Sequence, residues 1–343
     1  MALRSIEKPV ILERFISIIP GPYWLSALIW ATTVSSGLGF DAISFIATGT
    51  SPLSLATLPN TLLNLLFFFY AFLMVRYIRK RVVAEEAHIA PRLRDGSDDY
   101  HRTFGPMTRT LPPLLIALPL SAMLLYSYAI NGVFSSIWII LANIIVVFLG
   151  TFSAATYIWE FGSVSWGLHK LGGTSLKLGS FLEDRMMGTK PLGNLALSLT
   201  IAYFGEILIA TLLFATIPGF NIGSIVVFTS FLLFGVGLFF LPLNSIHVRM
   251  QQEKRKLVRE IGARYPPLRQ VPSQRSTNVT LEDVHAGVIR LADLQEVEML
   301  DRKIAVLPTW PFDVNVVSKF VAIIVSVTAV LLTRLITTYL IRI

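Results

Sequence analysis

Two residues of opposite charge interrupt long apolar runs in this sequence. Glu206 lies within 197-LSLTIAYFGEILIATLLFA-215, and Arg334 lies within 320-FVAIIVSVTAVLLTRLITTYLIRI-343. A lone carboxylate in a hydrocarbon environment tends to bind a proton, whereas a carboxylate beside a cation can stay ionised. Charged groups in such runs typically mark ion pathways, proton relays or paired charges between helices. The chemistry favoured here is therefore an intramembrane ion pair or an ion-coupling site.

The two charges fall at similar depths if both runs are helices that cross a membrane in the same direction. Glu206 lies about 13 residues into its run and Arg334 about 15 residues after Lys319, or roughly 20 Å and 22 Å at 1.5 Å per residue. We therefore predict a pair between Glu206 and Arg334. The pair could serve either as a bridge that holds two helices together or as a pair that lines or gates a pathway. A third possibility is that Arg334 instead reaches the outer interface with Arg342.

The composition explains why charges in these runs stand out. Hydrophobic residues make up 54% of the 343 residues, charged residues make up 15%, and the mean hydropathy is +0.66. A soluble domain usually carries about 25% charged residues, so the bilayer is the predicted solvent for most of this chain. Cysteine is absent, which excludes disulfides and thiolate metal sites. The N-terminus lacks the apolar core and small-residue cleavage site of a signal peptide.

Seven apolar runs predict an all-α, polytopic integral membrane protein with seven transmembrane helices. They lie at roughly residues 20–42, 58–78, 111–131, 135–159, 193–217, 223–245 and 316–340. Lysine and arginine concentrate in the N-terminal tail and in the second, fourth and sixth loops, while the other three loops carry none. The positive-inside rule then predicts a cytoplasmic N-terminus, an outer C-terminus and a location in the cell membrane. This orientation accounts for the net charge of +8 without nucleic acid as a partner.

The long basic loops predict a helical cytoplasmic layer. The second helix should continue to His88 before Pro91 breaks it, and the sixth should continue to about Gly262. Residues 246–307 then form a cytoplasmic helical hairpin, between a six-span bundle (1–245) and a seventh helix with its interfacial anchor (308–343). Apolar residues follow heptad spacing at the start of the second hairpin helix, at Leu281, Val284, Val288 and Leu291. This stripe packs within the hairpin or forms a homo-oligomer contact, and two heptads leave both open.

Catalytic and metal-binding motifs are missing from the sequence. The five histidines fit no metal-ligand spacing, and neither GxSxG nor a phosphate-binding loop occurs. We therefore predict no enzyme activity and no cofactor. Before the last run, 308-PTWPFDVN-315 predicts an interfacial anchor formed by Trp310, Pro311 and Phe312, because aromatic side chains favour the membrane interface.

Two resemblances add to these inferences. The stretches 241-LPLNSIHVRMQQEKRKLVREIG-262, 308-PTWPF-312 and 176-LKLGSFLEDRMMGTKPLG-193 resemble a family of uncharacterised prokaryotic membrane proteins, which implies no particular activity. Seven spans with an inner N-terminus and long inner helices are similar to the insect odorant and gustatory receptor fold. That likeness implies an oligomeric cation channel whose last helix lines the pore. The chain has Thr338-Tyr339 of that fold's last-helix motif but not the Gln-Phe that follows it.

Three functions remain open from the sequence. The first is an oligomeric ion channel or receptor-like protein with the last helix near the pore. The second is a small-solute or ion transporter that uses Glu206 as a coupling carboxylate. The third is a non-conducting membrane scaffold. A cavity that reaches Glu206 within one chain would favour the transporter.

Overall fold

A computed structural model describes residues 6–35, 58–130, 137–174, 176–179, 184–216, 222–269 and 281–340. Across these ranges the regular structure is helical, and they contain no β-strand. The predicted all-α class is confirmed.

Ten α-helices, numbered in chain order, make up most of the described residues. They are α1 (Ile11–Ile16), α2 (Tyr23–Val34), α3 (Leu58–Ile89), α4 (Ser97–Phe104), α5 (Leu111–Ile130), α6 (Ile137–Thr174), α7 (Lys190–Thr216), α8 (Ile222–Arg269), α9 (Leu281–Ala305) and α10 (Val314–Leu340). Short 3-10 turns at Ala90–Arg92 and Gly105–Thr108 flank α4.

Six segments within the described ranges are long and apolar enough to cross a membrane. They are Leu58–Arg92, Ser97–Ile130, Asn143–Gly173, Lys190–Leu213, Val226–Ala263 and Val314–Thr333. Their number and length fit a multi-pass membrane protein. The predicted first span is described only up to residue 35, where α2 is a 12-residue apolar helix. A seventh crossing, the orientation and the membrane in question stay predictions.

Two of the helices are much longer than a bilayer is thick. α3 has 32 residues and α8 has 48, which correspond to about 48 Å and 72 Å. Because the hydrocarbon core measures only about 30 Å, both helices must continue beyond it. α3 runs to Ile89 before Pro91, as the sequence predicted, whereas α8 passes the expected end near Gly262 and reaches Arg269. The predicted domain boundary at residue 245 therefore falls inside one continuous helix.

The helix that carries Glu206 occupies the centre of the bundle. In the most apolar stretch of α7, 72% of the residues are buried inside the protein, against 17–44% in the corresponding stretches of the other five segments. It packs against α3, α8 and α10. Its position follows from its composition, because apolar and small residues cover the helix on every side and a helix of this kind is buried.

A second, more polar layer covers one end of the bundle, and we call it the polar layer. It consists of α1, α4, α9 and the ends of α3, α6 and α8 that contact them. The Tyr100 hydroxyl donates to the Val82 carbonyl at 2.6 Å, and the Lys177 amide donates to the Arg92 carbonyl at 2.7 Å. These bonds join α4 and the segment after α6 to the end of α3.

The predicted anchor segment contacts protein in this structure. Trp310 stacks on His247 of α8 with ring centroids 4.0 Å apart, and the His247 Nδ1 lies 2.7 Å from the Thr309 carbonyl. Phe312 packs on Phe239 at 5.5 Å. The Pro311 carbonyl approaches the backbone of α7 so closely at Gly193 that a Cβ there would collide with it. The segment therefore joins the start of α10 to α7 and α8, and its contact with the membrane interface stays a prediction.

An ion pair fixes the same junction. The Lys190 Nζ lies 3.0 Å from an Asp313 carboxylate oxygen, and the Val316 amide donates to the other oxygen at 3.0 Å. The hydrogen bond from Lys190, followed by that from the Val316 amide, lowers the pKa of Asp313 below its ordinary value. The starts of α7 and α10 thus lie at the same level.

α9 packs against the end of α8 through only one of its halves. The Lys254 Nζ donates to the carbonyls of Ala305 and Leu307 at 2.9 and 3.0 Å, and Ile261 shares a buried cluster with Val297 and Ile304. These contacts set an antiparallel register. Continued along both helices, the register carries the first turns of α9 past the end of α8.

Candidate functional site

Glu206 lies beside a cavity inside the helix bundle. The cavity has a volume of about 560 Å³, within the range of about 300–1,000 Å³ that is usual for small-molecule sites. Its lining comes from α3 (Phe67, Phe68, Ala71), α6 (Ser153, Ala154, Tyr157, Ile158), α7 (Glu206, Ile207, Ala210) and α8 (Val227, Phe228, Phe231). It therefore combines aromatic and aliphatic walls with a single carboxyl group.

The Glu206 carboxyl is the one charged group in this lining. The residue is 9% exposed, and its Oε2 atom has no hydrogen-bond partner among the described residues. The other polar lining groups are hydroxyls, and that of Ser153 donates to the Leu149 carbonyl of its own helix at 2.6 Å. A carboxyl with a free oxygen in an aromatic pocket can bind either a proton or an organic cation, since aromatic faces also attract cations.

One side of the cavity reaches the outer surface of the bundle. The side chains at this rim are apolar and exposed, with Ile158 at 55%, Val227 at 49% and Phe231 at 45%. All three lie within segments that are apolar enough to cross a membrane. In a bilayer, this side of the cavity would face lipid rather than water.

A glycine next to Glu206 permits a close contact that shapes α7 and α3. A Cβ at Gly205 would collide with the Tyr70 hydroxyl, so only glycine allows this ring to lie against the helix. The Tyr70 hydroxyl also lies 3.4 Å from the Ile201 carbonyl. The α3–α7 approach at the level of Glu206 therefore depends on a missing side chain.

A second buried acid, Glu160 of α6, was not singled out from the sequence. It is fully buried, and neither of its carboxylate oxygens has a hydrogen-bond partner within the described ranges. The predicted fourth span ended at residue 159, because a charge at position 160 ended the apolar run. The signal was nevertheless present in 157-YIWEFGSVSW-166, where apolar and aromatic residues surround the acid as they surround Glu206.

Glu160 adjoins a cluster of charged and polar groups where the bundle meets the polar layer. The Arg79 guanidinium contacts both carboxylate oxygens of Glu13, at 3.2 Å for the Nη2–Oε1 pair, and also donates to the Glu7 carbonyl at 3.1 Å. The Glu13 side chain is only 3% exposed. Nearby, the Arg76 guanidinium lies 4.4 Å from the centre of the Tyr23 ring. Glu160 lies within electrostatic range of Glu13 and Arg79.

Arg334 lies in α10, but its side chain falls outside the described residues. Counted from the Lys190–Asp313 contact, Arg334 lies roughly 8 Å farther along its helix than Glu206 does. Phe204, on α7 two residues before Glu206, contacts Phe320 of α10 with ring centroids 6.5 Å apart. Two residues correspond to about 200° around a helix, so the Glu206 side chain leaves α7 on the face roughly opposite to the Phe204–Phe320 contact. The Glu206–Arg334 pair stays a prediction.

The predicted oligomer stripe on α9 is exposed to solvent. Leu281 is 90% exposed, and Val284, Val288 and Leu291 are 54%, 62% and 61% exposed. The structure therefore does not bury them within the α8–α9 hairpin, in contrast to Val297 and Ile304. Whether a second copy covers them stays a prediction.

No metal site is formed by the residues that the structure describes, where no three His, Asp or Glu side chains come together. Comparisons with protein-family models, with curated proteins and with solved structures gave no match to this chain. The resemblances to a prokaryotic membrane protein family and to the insect receptor fold stay predictions, and the function has to be inferred from the site.

Proposed function

We propose that this protein is a multi-pass membrane transporter in which the Glu206 carboxyl binds a small organic cation and a proton in exchange. The observation that carries the proposal is the cavity beside Glu206. It lies within a single chain, its walls are apolar and aromatic, and its one charged group is an acid.

The chemistry of the cavity points to a lipophilic cation as the substrate class. Aromatic and aliphatic walls bind apolar surface, the carboxylate balances a positive charge, and aromatic faces add cation–π attraction. A hydrated metal ion is a poorer fit, because hard cations need several oxygen ligands and this lining offers one carboxyl and two hydroxyls. The apolar rim would let such a cation pass from the lipid into the cavity.

Competition for one carboxylate would couple the cation to the proton. A cation that binds beside Glu206 displaces the proton, and a proton that returns displaces the cation. This exchange needs no second ion site. It is tested by measuring the binding of tetraphenylphosphonium, a lipophilic cation with an apolar aromatic surface, to the purified protein over a range of pH.

An oligomeric channel with α10 near its axis is a second candidate. It is favoured by the exposed stripe on α9. It is also favoured by α10, because only 17% of the most apolar stretch of this helix is buried within one chain. A defined oligomer in lipid and ion conductance without bound organic cation would support it over the transporter. A scaffold without either activity is favoured by no observation of comparable weight.

For the orientation, we propose that the polar layer and the N-terminus lie in the cytoplasm of a cell membrane. The proposal rests on the lysines and arginines, which concentrate in the segments that form this layer. Because the chain has no cysteine, single cysteines report accessibility without background. An impermeant maleimide should label Ile130→Cys in intact cells and Glu298→Cys only after permeabilisation, and the reverse pattern would overturn the orientation.

A further inference from the structure

Tyr157 and Glu160 place two buried polar groups one helical turn apart on α6. Three residues along a helix correspond to a rise of about 4.5 Å on nearly the same face. The Tyr157 hydroxyl and both carboxylate oxygens of Glu160 lack hydrogen-bond partners among the described residues. Burying such groups without partners costs free energy, and apolar residues of the same size would pack at less cost. Packing therefore does not explain them.

At one end, this pair reaches the cavity. Tyr157 lines the same cavity as Glu206, from the neighbouring helix. Its hydroxyl lies within electrostatic range of Glu206, Glu160, Tyr70 and Tyr203. Tyr157 thus shares the cavity with Glu206 and lies one helical turn from Glu160 along α6.

At the other end, the pair reaches the charged cluster at the polar layer. The groups that face Glu160 come from three elements besides its own. They are Glu13 of α1, Tyr23 of α2 and Arg79 of α3. The Arg79 side chain is 15% exposed and so connects the buried cluster with the solvent side of the layer.

We propose that Tyr157 and Glu160 carry the proton that Glu206 exchanges between the cavity and the polar layer. The proton leaves the Glu206 carboxyl, and the Tyr157 oxygen accepts it through bridging water while its own hydroxyl proton passes, again through water, to the Glu160 carboxylate. Glu206 ends as a carboxylate, Tyr157 is unchanged, and Glu160 ends as a neutral acid. Glu160 then releases the proton to water on the solvent side of the polar layer, next to Arg79, whose side chain is 15% exposed. This relay rests on the proposed exchange at Glu206.

Two measurements on protein reconstituted into vesicles separate the relay from the cation site. The first is exchange of tetraphenylphosphonium across the membrane at equal pH on both sides, which needs the cavity alone. The second is uptake of tetraphenylphosphonium against its gradient, driven by a pH difference, which also needs proton movement. Glu206→Gln should abolish both.

Glu160→Gln removes the proton-carrying acid but keeps its size. We expect exchange to stay within about twofold of the natural protein. We expect pH-driven uptake to fall by about 100-fold, the lower end of what a positioned proton-transfer group contributes. Because Tyr157 also lines the cavity, Tyr157→Phe is judged by the ratio of pH-driven uptake to its own rate of exchange, which should fall by a similar factor. Tyr126→Phe, at a tyrosine 69% exposed on α5, serves as its matched control.

The outcomes distinguish the two proposals. If the natural protein shows neither exchange nor uptake, the transporter proposal is overturned. If it shows both, and Glu160→Gln and Tyr157→Phe both keep full pH-driven uptake, only the relay is overturned. If Glu160→Gln does not fold, Tyr157→Phe decides the question, because it removes one hydroxyl that has no partner in the described structure.

Discussion

Tyr157 and Glu206 line one cavity from two neighbouring helices, α6 and α7. The Tyr157 hydroxyl and the Oε2 atom of Glu206 both lack hydrogen-bond partners within the described ranges. Glu206, which looks like an isolated acid in an apolar run of the sequence, is therefore part of the cavity that we propose as a binding site. The other described residues that line this cavity come from α3, α6, α7 and α8, and none of them comes from α10, the helix of the predicted partner Arg334.

The buried ion pair at the polar layer should matter far more than an exposed pair. Arg79→Met leaves Glu13 buried without its partner, which we expect to cost roughly 3–5 kcal/mol of unfolding free energy. The control is Arg302→Met in α9, whose pair with Glu298 is exposed at 78% and 58% and contributes about 0–1 kcal/mol. Unfolding of the solubilised protein in SDS measures both. Equal small losses in the two variants would contradict the importance of the Glu13–Arg79 contact.

Gly205 should not tolerate a methyl group. Gly205→Ala drives a Cβ into the Tyr70 hydroxyl, and overpacking of this kind typically costs about 1–3 kcal/mol. Gly162→Ala is the matched control, because a Cβ at that helical glycine meets nothing within 4 Å and should stabilise α6 by up to about 1 kcal/mol. The same unfolding assay should give opposite signs. A neutral Gly205→Ala would show that α3 and α7 do not approach as described.

The Lys190–Asp313 junction should make stability depend on pH in the acid range. The pKa of Asp313 is lowered in the folded protein, so its stabilising effect is complete above the unfolded value of about 3.8 and is lost as pH falls through the lower folded value. The difference in thermal stability between the natural protein and Asp313→Asn should therefore be constant near neutral pH. It should shrink below about pH 4. A difference that grows on acidification would contradict the pair.

The exposed stripe on α9 is the predicted contact between copies of the chain. If a second copy covers it, Val288→Asp should dissociate the oligomer, because a charge would be buried in an apolar contact. Met299→Asp is the control, at a residue of the same helix that is 59% exposed but outside the stripe. Mass photometry in lipid nanodiscs measures the assembly. A natural protein that is already a monomer would rule out both the stripe contact and a central pore along α10.

Much of the fold could be predicted from the sequence, because apolar runs of bilayer length are unambiguous. Six of the seven predicted runs correspond to long apolar helices, and the continuation of α3 to Ile89 follows from strong helix formers before Pro91. The extent of α8 was less predictable. Gly262 predicts an end, yet the helix continues to Arg269.

The site itself could be predicted only in part. Glu206 stands out because it lies in the middle of an apolar run. Glu160 does not, because the predicted fourth span ends at residue 159, one residue before this charge. Glu13 and Arg79 are 66 residues apart, and no local spacing relates them. A cavity depends on how four helices pack, and packing is not encoded in the periodicity of any one of them. The predicted pairing of Glu206 with Arg334 required a choice of the residues at which α7 and α10 enter the membrane. The contact between Lys190 and Asp313 now shows which residues of the two helices lie at the same level.

The most direct test of the proposed site is equilibrium binding of radiolabelled tetraphenylphosphonium to the purified protein as a function of pH. If the cation and a proton compete for Glu206, affinity should rise with pH by up to about tenfold per unit across the range in which the carboxyl titrates. Glu206→Gln should bind about tenfold or more weakly and lose the pH dependence, while Glu298→Gln, on the exposed face of α9, should behave like the natural protein. Binding by Glu206→Gln with unchanged affinity and pH dependence would contradict the account.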